Sequence, residues 1–244
     1  ADFIVVDTLT DFNIQSTFID GNKVYDGEKS LINSVETAKP NFFKAKKIKI
    51  EALNVKPESG DLKVIKALDG ELITDVLISK AKIENDNVIS DINNDVLKIV
   101  VLNRYKESPP AIAFINGFGL KEGAIASSVA HDSHNIVAVG CNDESIAKAI
   151  NMVIEQKGGV AAIDNTKQKV LGLPVAGLMS NEDAWDVADN YHSIDKMAHD
   201  MGSMLRAPFM TLSFMALLVI PNLKLSDKGL FDGRSFSFTQ VFAN

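Results

Sequence analysis

The sequence predicts an α+β fold, with mixed β-sheets and with packed helices in the second half of the chain. Two observations predict this class. Short apolar runs of about four to eight residues, separated by Asp-Gly and Pro-Pro turns, fill most of residues 1–115. Beyond residue 142, apolar residues recur at helical spacing in two longer segments. Strands and helices do not alternate regularly, which argues against a parallel βαβ series.

The amino-acid composition argues against several classes of function. The 244 residues are 46% hydrophobic, with a formal net charge of −7 and a pI of about 5.1. This acidity argues against a nucleic-acid binder and against electrostatic binding to a membrane. The longest apolar stretch, residues 208–220, is too short to span a bilayer. Cys141 is the only cysteine, which excludes an internal disulfide and a cysteine zinc cluster and predicts a cytoplasmic location.

The first 28 residues are predicted to form a unit of their own. Three short strands are predicted at residues 3–6, 14–19 and 23–25, with Asp-Gly turns after the second and third. Residues 29–41 are polar and are predicted to be a linker, so residues 42–244 form the main domain. The chain has no starting methionine and enters an apolar run at once, so we expect it to be part of a longer protein.

Five more strands are predicted between residues 42 and 115. Their apolar runs lie at residues 48–52, 62–65, 72–81, 96–102 and 111–115. Four lysines, Lys44, Lys46, Lys47 and Lys49, cluster around the first run. They suit either an anion-binding patch or the solvated face of an edge strand. We favour the second interpretation, because lysines commonly guard exposed strand edges.

The second half is predicted to contain helices around a further pair of strands. Asn142 is the expected N-cap of a helix over residues 143–156, which Gly158 ends. Strands are predicted at residues 160–163 and 170–173, and a long helix over residues 181–204, capped by Ser180 or Asn181. Pro208 is expected to open another helix in its first turn.

The densest group of functional side chains lies between two apolar runs near the middle of the chain. It comprises Ser127, Ser128, His131, Asp132, Ser133, His134 and Asn135. Together these groups can act as acid, base, orienting group and hydrogen-bond donor. They can equally form a polar turn that satisfies backbone groups at strand ends. A metal site is a third interpretation, but histidines three apart on a strand face opposite sides, so it requires a bend between them.

Three glycines precede this segment. Gly117, Gly119 and Gly123 follow a predicted strand, as in a dinucleotide-binding loop, but their spacing is off by one and a strand follows instead of a helix. Without a helix N-terminus there is no row of free amides to receive a pyrophosphate. Tight turns or close backbone approach explain these glycines more simply.

Two other features have a functional and a structural interpretation. His192 and His199 lie two helical turns apart, with Asp195 and Asp200 nearby, which suits a metal site or an exposed polar stripe. We favour the stripe. Cys141 has no base partner nearby in sequence, so we predict a packed thiol rather than a nucleophile.

The order and spacing of several motifs resemble the C-terminal domain of bacterial adenine deaminases, which belong to the amidohydrolase superfamily. The resemblance rests on residues 117–121, 123–127, 129–135, 173–180, 208–214 and 219–230. Residues 1–28 resemble the last strands of the small β-domain that follows the amidohydrolase barrel, where a phrase such as Ala-Asp-Phe-Ile-Val-Val-Asp recurs.

This resemblance implies a metal-dependent hydrolysis of adenine to hypoxanthine and ammonia. The metal is expected to be manganese or iron, or alternatively zinc, with its ligands on a (β/α)₈ barrel that this chain has no room for. No metal ligand and no certain catalytic residue are therefore expected here, and the chain alone is expected to be inactive. The polar segment from Ser127 to Asn135 is expected to lie near the substrate. The implied partners are adenine, the barrel and further copies of the protein, with no nucleic acid and no membrane.

Two alternatives from other function classes stay open. The chain can be a structural or oligomerisation module that supports the catalytic barrel without touching its chemistry. It can also be a freestanding purine-binding module that uses the glycine-rich turn and the polar segment.

Overall fold

The chain separates into two units, Ala1–Ala38 and Lys39–Asn244. The computed structural model describes residues 1–33, 35–36 and 38–243. The division falls within the stretch 29–41, whose character as a linker stays a prediction.

Three antiparallel strands form a small sheet in the first unit: β1 (Phe3–Val6), β2 (Ile14–Ile19) and β3 (Asn22–Tyr25). They confirm the three strands predicted there. Asp20 and Gly21 both have positive φ, as a tight hairpin turn between β2 and β3 requires. Across β1 and β2 the rings of Phe3 and Phe18 stack with centroids 4.5 Å apart, a cross-strand contact that fixes the register.

An open eight-stranded sheet forms the centre of the second unit. The strands of this unit are β4 (Leu62–Ala67), β5 (Thr74–Ser79), β6 (Lys82–Glu84), β7 (Asn87–Ile89), β8 (Leu97–Leu102), β9 (Ala111–Asn116), β10 (Ala124–Ser127), β11 (Ile136–Gly140), β12 (Gly159–Ile163), β13 (Gln168–Gly172), β14 (Leu223–Ser226), β15 (Gly229–Asp232) and β16 (Ser237–Phe238). The order in the large sheet is β13-β12-β10-β11-β8-β9-β4-β5. Among the described strands, β4 and β9 are the only pair that runs in parallel, so the mixed sheet of the predicted α+β class is confirmed.

Both faces of the central strands are covered, which explains why β8, β10 and β11 are buried along their whole length. On one face, Val100 of β8 and Ala138 of β11 pack against helix α1 (Asp143–Glu155). On the other, the alternate residues Ile99 and Val139 join the core formed with helices α2 (Ala184–Asp200) and α3 (Pro208–Phe214). The sheet is therefore the middle layer of this unit.

The helix boundaries follow local capping chemistry. The Asn142 side chain accepts a hydrogen bond from the Ser145 N–H at 2.8 Å, so the predicted cap of α1 is confirmed. Pro208 occupies the first turn of α3, also as predicted. The predicted helix over residues 181–204 is wrong at both ends. Asp183 caps α2 instead of Ser180 or Asn181, because its carboxylate accepts from the Trp185 N–H, and Gly202 in left-handed conformation ends the helical turn after α2.

The strand predicted at residues 48–52 does not form. Residues 44–49 run as extended chain outside any strand and lead into a 3₁₀ turn, Ile50–Leu53. The Asn151 side chain of α1 accepts from the Ile48 N–H and donates to the Ile48 carbonyl, each at 2.9 Å. Because a helix side chain satisfies this backbone, the segment needs no neighbouring strand. Its lysines are exposed as predicted, but they do not guard a strand edge.

Two lysines lie in the core, which the sequence did not indicate. Lys98 of β8 donates from Nζ to the Asp143 carboxylate at 2.6 Å and to the Leu53 carbonyl at 2.9 Å. Lys224 of β14 has no carboxylate partner in the described residues and donates to the carbonyls of Leu72 and Phe214. Burial lowers the pKa of Lys224 to about 8.

In the described residues, no helix combines the length and the apolar character that crossing a membrane requires.

Candidate functional site

The polar segment forms the connection between the antiparallel strands β10 and β11, and residues 128–135 are hereafter called the polar turn. Ser127 at the end of β10 pairs with Val137 of β11, so the turn begins and ends at the same edge of the sheet. His131 and His134 lie on a bent chain rather than on a strand. The bend that would allow them to share a face is therefore present.

Three of the predicted side chains anchor the turn in the interior. Ser128 Oγ donates to the Gly177 carbonyl at 2.6 Å and accepts from the Gly159 N–H at 2.8 Å. Ser127 Oγ accepts from the Val129 N–H at 3.0 Å. Asn135 is buried, and its side-chain oxygen accepts a hydrogen bond from the backbone N–H of Arg104, which follows β8. These groups are consumed by internal hydrogen bonds, so they fix the shape of the turn.

The tip of the turn faces outward. The side chain of Asp132 is 83% exposed, and Ser133 is exposed as well. The half-buried His131 ring stacks on Phe214 of α3 with centroids 4.8 Å apart, and its Nδ1 lies 3.9 Å from Asp132 Oδ1. Its backbone N–H donates to the Ser213 carbonyl. Helix α3 thus holds His131, while the Asp132 carboxylate beside it faces solvent and the exposed Ser133 hydroxyl accepts only a long hydrogen bond, 3.5 Å, from the Asn135 N–H.

His134 lies at the base of the turn in left-handed conformation, with φ of +50°. Its N–H donates to the Ala130 carbonyl at 2.7 Å and closes the turn. Burial, followed by the positive charge of Arg104 and the neighbouring His131, lowers the pKa of His134, and Asp132 opposes this only in part. His134 is therefore a neutral imidazole at neutral pH, able to donate from one ring nitrogen and accept at the other.

Arg104 is the residue of this region that sequence reasoning missed. It follows β8, is 4% exposed, and its N–H supplies the hydrogen bond to Asn135. Its guanidinium donates to the Ala176 carbonyl at 2.6 Å and to the Tyr105 hydroxyl at 2.8 Å, while Nε is buried without a partner in the described residues. No pattern around residue 104 marks it, because its neighbours come from distant parts of the chain.

An open pocket of about 320 Å³ adjoins the exposed tip. Asp132 and Ser133 form one side, and residues 216–219 and Phe238 supply apolar walls. A second pocket of about 310 Å³ lies between α3 and the chain before β5, and Phe214 lines it. The tip of the polar turn thus combines a carboxylate, a hydroxyl and a stacked imidazole with two neighbouring pockets whose linings mix apolar and charged side chains, a composition that suits a small-molecule site.

Metal binding finds no support in these side chains. Among the described residues, no three His, Cys, Asp or Glu side chains come together as a set of metal ligands. His192 and His199 lie on the exposed face of α2, which confirms the polar stripe. His199 Nε2 is 3.5 Å from Asp195, and its Nδ1 lies 3.0 Å from the Ser203 carbonyl oxygen.

The glycines lie in the loop between β9 and β10, hereafter the glycine loop (residues 117–123). Gly117, Gly119 and Gly123 all have positive φ. The Asp95 carboxylate accepts from the N–H groups of Gly117 at 2.7 Å and of Gly119 at 2.8 Å. A Cβ on Gly123 would lie 2.0 Å from the Ile163 carbonyl oxygen. The amides that a phosphate would need are thus already bound to a carboxylate of the same chain.

Cys141 is a packed thiol, as predicted. It is 5% exposed, and its Sγ donates to the Leu120 carbonyl at 3.4 Å. Burial raises the pKa of this thiol to about 12, so the reactive thiolate is not formed near neutral pH.

Comparison with known proteins places this fold in a family. The profile of the adenine deaminase C-terminal domain matches residues 71–237, which include the glycine loop, the polar turn and α1 to α3. An adenine deaminase of Sulfurovum sp. is 53% identical over 98% of this chain, and one of Methanosarcina acetivorans is 49% identical over all of it. An adenine deaminase of Methanothermobacter thermautotrophicus is 43% identical over 99% of the chain.

The chain spans less than half the length of these relatives, between 43% and 46%. The matches cover nearly all of the chain, and the family profile covers seven of the eight strands of the large sheet, all but β4, together with helices α1 to α3 and both loops. The chain belongs to the adenine deaminase C-terminal domain family.

Proposed function

We propose that this chain is the C-terminal part of an adenine deaminase, a hydrolase that converts adenine and water to hypoxanthine and ammonia. The observation that carries the proposal is the similarity of the whole chain to adenine deaminases of which it covers less than half. The rest of such a protein would be the amidohydrolase barrel. The chain alone would then lack most of the active site and be inactive.

The complete enzyme is proposed to use a divalent metal: manganese or iron, or alternatively zinc. When bound, such an ion supplies an activated water as the nucleophile at neutral pH. The described residues of this chain do not fit a metal centre, since they bring no three ligating side chains together. We therefore assign the ligands to the barrel and derive no step through the metal here.

The polar turn is the part of this chain that we assign to the purine site. Its exposed Asp132 and Ser133 can accept and donate hydrogen bonds at the edge of a purine ring. His131, stacked on Phe214, and neutral His134 supply further donors and acceptors. Ser127, Ser128 and Asn135 hold this edge in place from the interior, so the groups at the tip need little reorganisation to bind. In this role the turn binds and orients the substrate and excludes water.

A first experiment tests whether the chain is one part of an enzyme. Calorimetry with adenine and a deamination assay are run on the 244-residue chain and on the full-length protein that we propose. We expect no heat and no ammonia from the chain alone, with substoichiometric metal, and turnover from the full-length protein. Saturable heat from the chain alone would favour a freestanding purine-binding module, and a stoichiometric, tightly bound ion would overturn our assignment of the metal.

A second experiment tests the polar turn in the full-length protein. Asp132→Ala and His134→Ala are expected to lower kcat/KM for adenine about ten-fold or more, because each removes a group that contacts or orients the substrate. The matched controls are Asp61→Ala, at an exposed carboxylate before β4, and His192→Ala, on the exposed face of α2. Changes in melting temperature or oligomer size with normal turnover per folded site would favour a structural module instead.

The cellular location, the oligomeric state and the partners of the enzyme are also proposals. The acidic composition, with a net charge of −7, suits a cytoplasmic protein whose substrate is an uncharged base. We propose that the enzyme is a homo-oligomer that binds neither nucleic acid nor membranes. Size-exclusion chromatography with light scattering on the full-length protein tests the oligomeric state.

A further inference from the structure

A lysine-rich pocket lies apart from the polar turn, on the α1 side of the large sheet. Four lysines fall within residues 44–49 of a protein whose net charge is −7. Because Asn151 of α1 holds the backbone at Ile48, this segment runs along the unit without joining a strand. It borders a pocket of about 460 Å³ whose other wall is formed by residues 102–103 and 106–110. This pocket is hereafter called the lysine pocket.

Positive charge dominates its lining. Lys46, Lys47, Lys49 and Lys106 face two carboxylates, Glu51 and Glu107. Two of the lysines are already paired: Lys46 Nζ lies 2.7 Å from Glu107, and Lys47 pairs with Glu155 of α1. Lys49 and Lys106 form no ion pair within the described residues. They are thus the two ammonium groups available to an anion that enters the pocket.

A hydroxyl in the wall also lacks a partner. Ser108 Oγ is shielded from solvent and makes no hydrogen bond within the described residues, an arrangement that destabilises the chain unless a ligand supplies the partner. Ser108 lies two residues from Lys106 in the same wall of the pocket. Rotation about the Cα–Cβ bond places a serine hydroxyl in three staggered positions. The Ser108 hydroxyl can therefore donate a hydrogen bond to an acceptor oxygen that is bound beside Lys106.

The remaining wall is apolar. Ile48, Leu102, Pro109 and Pro110 line the pocket opposite and between the charged groups. A bare ion would leave these surfaces in contact with water, whereas a ligand with an organic body covers them. Lysines supply the point charges suited to phosphate, and the prolines supply a rigid apolar surface for the group that carries it.

We propose that the lysine pocket binds an organic phosphate monoester, with the phosphate between Lys49 and Lys106 and the organic group against Pro109 and Pro110. This site is independent of the deaminase assignment, since it shares no residue with the polar turn. A carboxylate or a free phosphate ion would bind the same ammonium groups, so the affinities of these two kinds of anion must be compared with that of a phosphate monoester.

Binding is measured by calorimetry on the 244-residue chain with phenyl phosphate, inorganic phosphate, benzoate and phenol as probes. We expect phenyl phosphate to bind saturably, about ten-fold tighter than inorganic phosphate or benzoate, and phenol not to bind. Equal affinity for phenyl phosphate and inorganic phosphate, or tighter binding of benzoate, would overturn the assignment of a phosphate monoester.

Variants locate the site. The double variant Lys49→Gln/Lys106→Gln is expected to weaken phenyl phosphate binding about ten-fold or more. The matched control Lys66→Gln/Lys80→Gln removes the same charge from exposed positions on and beyond the β4–β5 hairpin and should change affinity less than about two-fold. An equal loss in both variants would mean a general charge effect and would overturn the proposal, as would the absence of saturable binding by the unaltered chain.

Discussion

The two loops at opposite ends of β10 differ in where their polar groups go. In the glycine loop, the amides of Gly117 and Gly119 are bound to the Asp95 carboxylate, and Gly123 lies against the backbone of β12. In the polar turn, the side chains of Ser127, Ser128 and Asn135 near the strand ends form internal hydrogen bonds, while the side chains of Asp132 and Ser133 at the tip are exposed. Both loops carry sequence patterns that are typical of binding sites, but it is the polar turn that exposes polar side chains to which a ligand can bind.

This difference separates a structural loop from a candidate site. A residue whose hydrogen-bonding groups are satisfied within the chain should affect stability when it is changed. A residue whose groups face solvent should affect stability little and should affect function if it binds a ligand. Variants in the glycine loop and in the polar turn test this distinction.

The largest effect is expected at Gly123. Gly123→Ala places a Cβ 2.0 Å from the Ile163 carbonyl oxygen at a residue with φ of +69°, so clash and backbone strain add up to about 3 kcal/mol or more of lost stability. The control is Gly229→Ala, where φ is +125° but no atom lies within 4 Å of the added Cβ. That variant should lose about 1–2 kcal/mol, from strain alone. Urea denaturation measures both, and equal losses would mean that close packing is not what requires Gly123.

The next effect is expected at Asp95. Asp95→Ala removes the acceptor of two backbone N–H groups and should lower the free energy of unfolding by about 2–3 kcal/mol. Asp95→Asn keeps one side-chain oxygen and tolerates the left-handed backbone found there, so it should lose less. If denaturant titration gave Asp95→Ala the stability of the exposed control Asp61→Ala, the carboxylate would not be anchoring the glycine loop.

Within the polar turn, buried and exposed serines should behave differently. Ser128→Ala removes a donor to Gly177 and an acceptor from Gly159 and should cost about 1–2 kcal/mol of stability. Ser133→Ala at the exposed tip should change stability by less than about 0.5 kcal/mol. Thermal denaturation of the two variants compares them directly. A Ser133 variant as destabilised as the Ser128 variant would contradict the division of the turn into anchor and tip.

The smallest effect is a pH dependence that His134 contributes. The folded protein lowers the pKa of His134 below its ordinary value of 6.5, so the unfolded chain takes up the proton first as the pH falls. The stability that neutral His134 contributes is fully present above pH 6.5 and is lost as the pH falls through and below that value. We expect His134→Asn, which suits the left-handed backbone, to flatten this part of the stability profile. A stability profile identical in the unaltered protein and in His134→Asn would show that folding does not lower the pKa of His134.

Local signals predicted much of the fold. Short apolar runs and turn residues predicted β8, β9, β12 and β13, and the Asn142 cap predicted the start of α1, because these features depend on neighbours in sequence. The polar turn was recognisable because its functional groups are consecutive. The family resemblance is confirmed by the comparisons, whereas the role of Ser127 to Asn135 at a purine site stays a prediction.

Other features depend on distant residues and left no local signal. The segment before Ile50 carries a strand-like alternation, but the side chain of Asn151, 103 residues away, binds the backbone N–H and carbonyl of Ile48. Arg104 is buried beneath the polar turn by contacts with residues 135 and 176. Lys98 is buried because Asp143 lies opposite it, at the start of α1. In each case a tertiary contact decides a structure that the local pattern leaves open.

Hydrogen exchange tests the central claim most directly, namely that the polar turn and not the glycine loop faces the purine site. Exchange is measured by mass spectrometry on the full-length protein, with and without the product hypoxanthine. Our account predicts that peptides covering residues 128–135 exchange more slowly when hypoxanthine is bound, while peptides covering residues 117–123 are unchanged. Slower exchange confined to residues 117–123, or no change at residues 128–135 under saturating hypoxanthine, would contradict it.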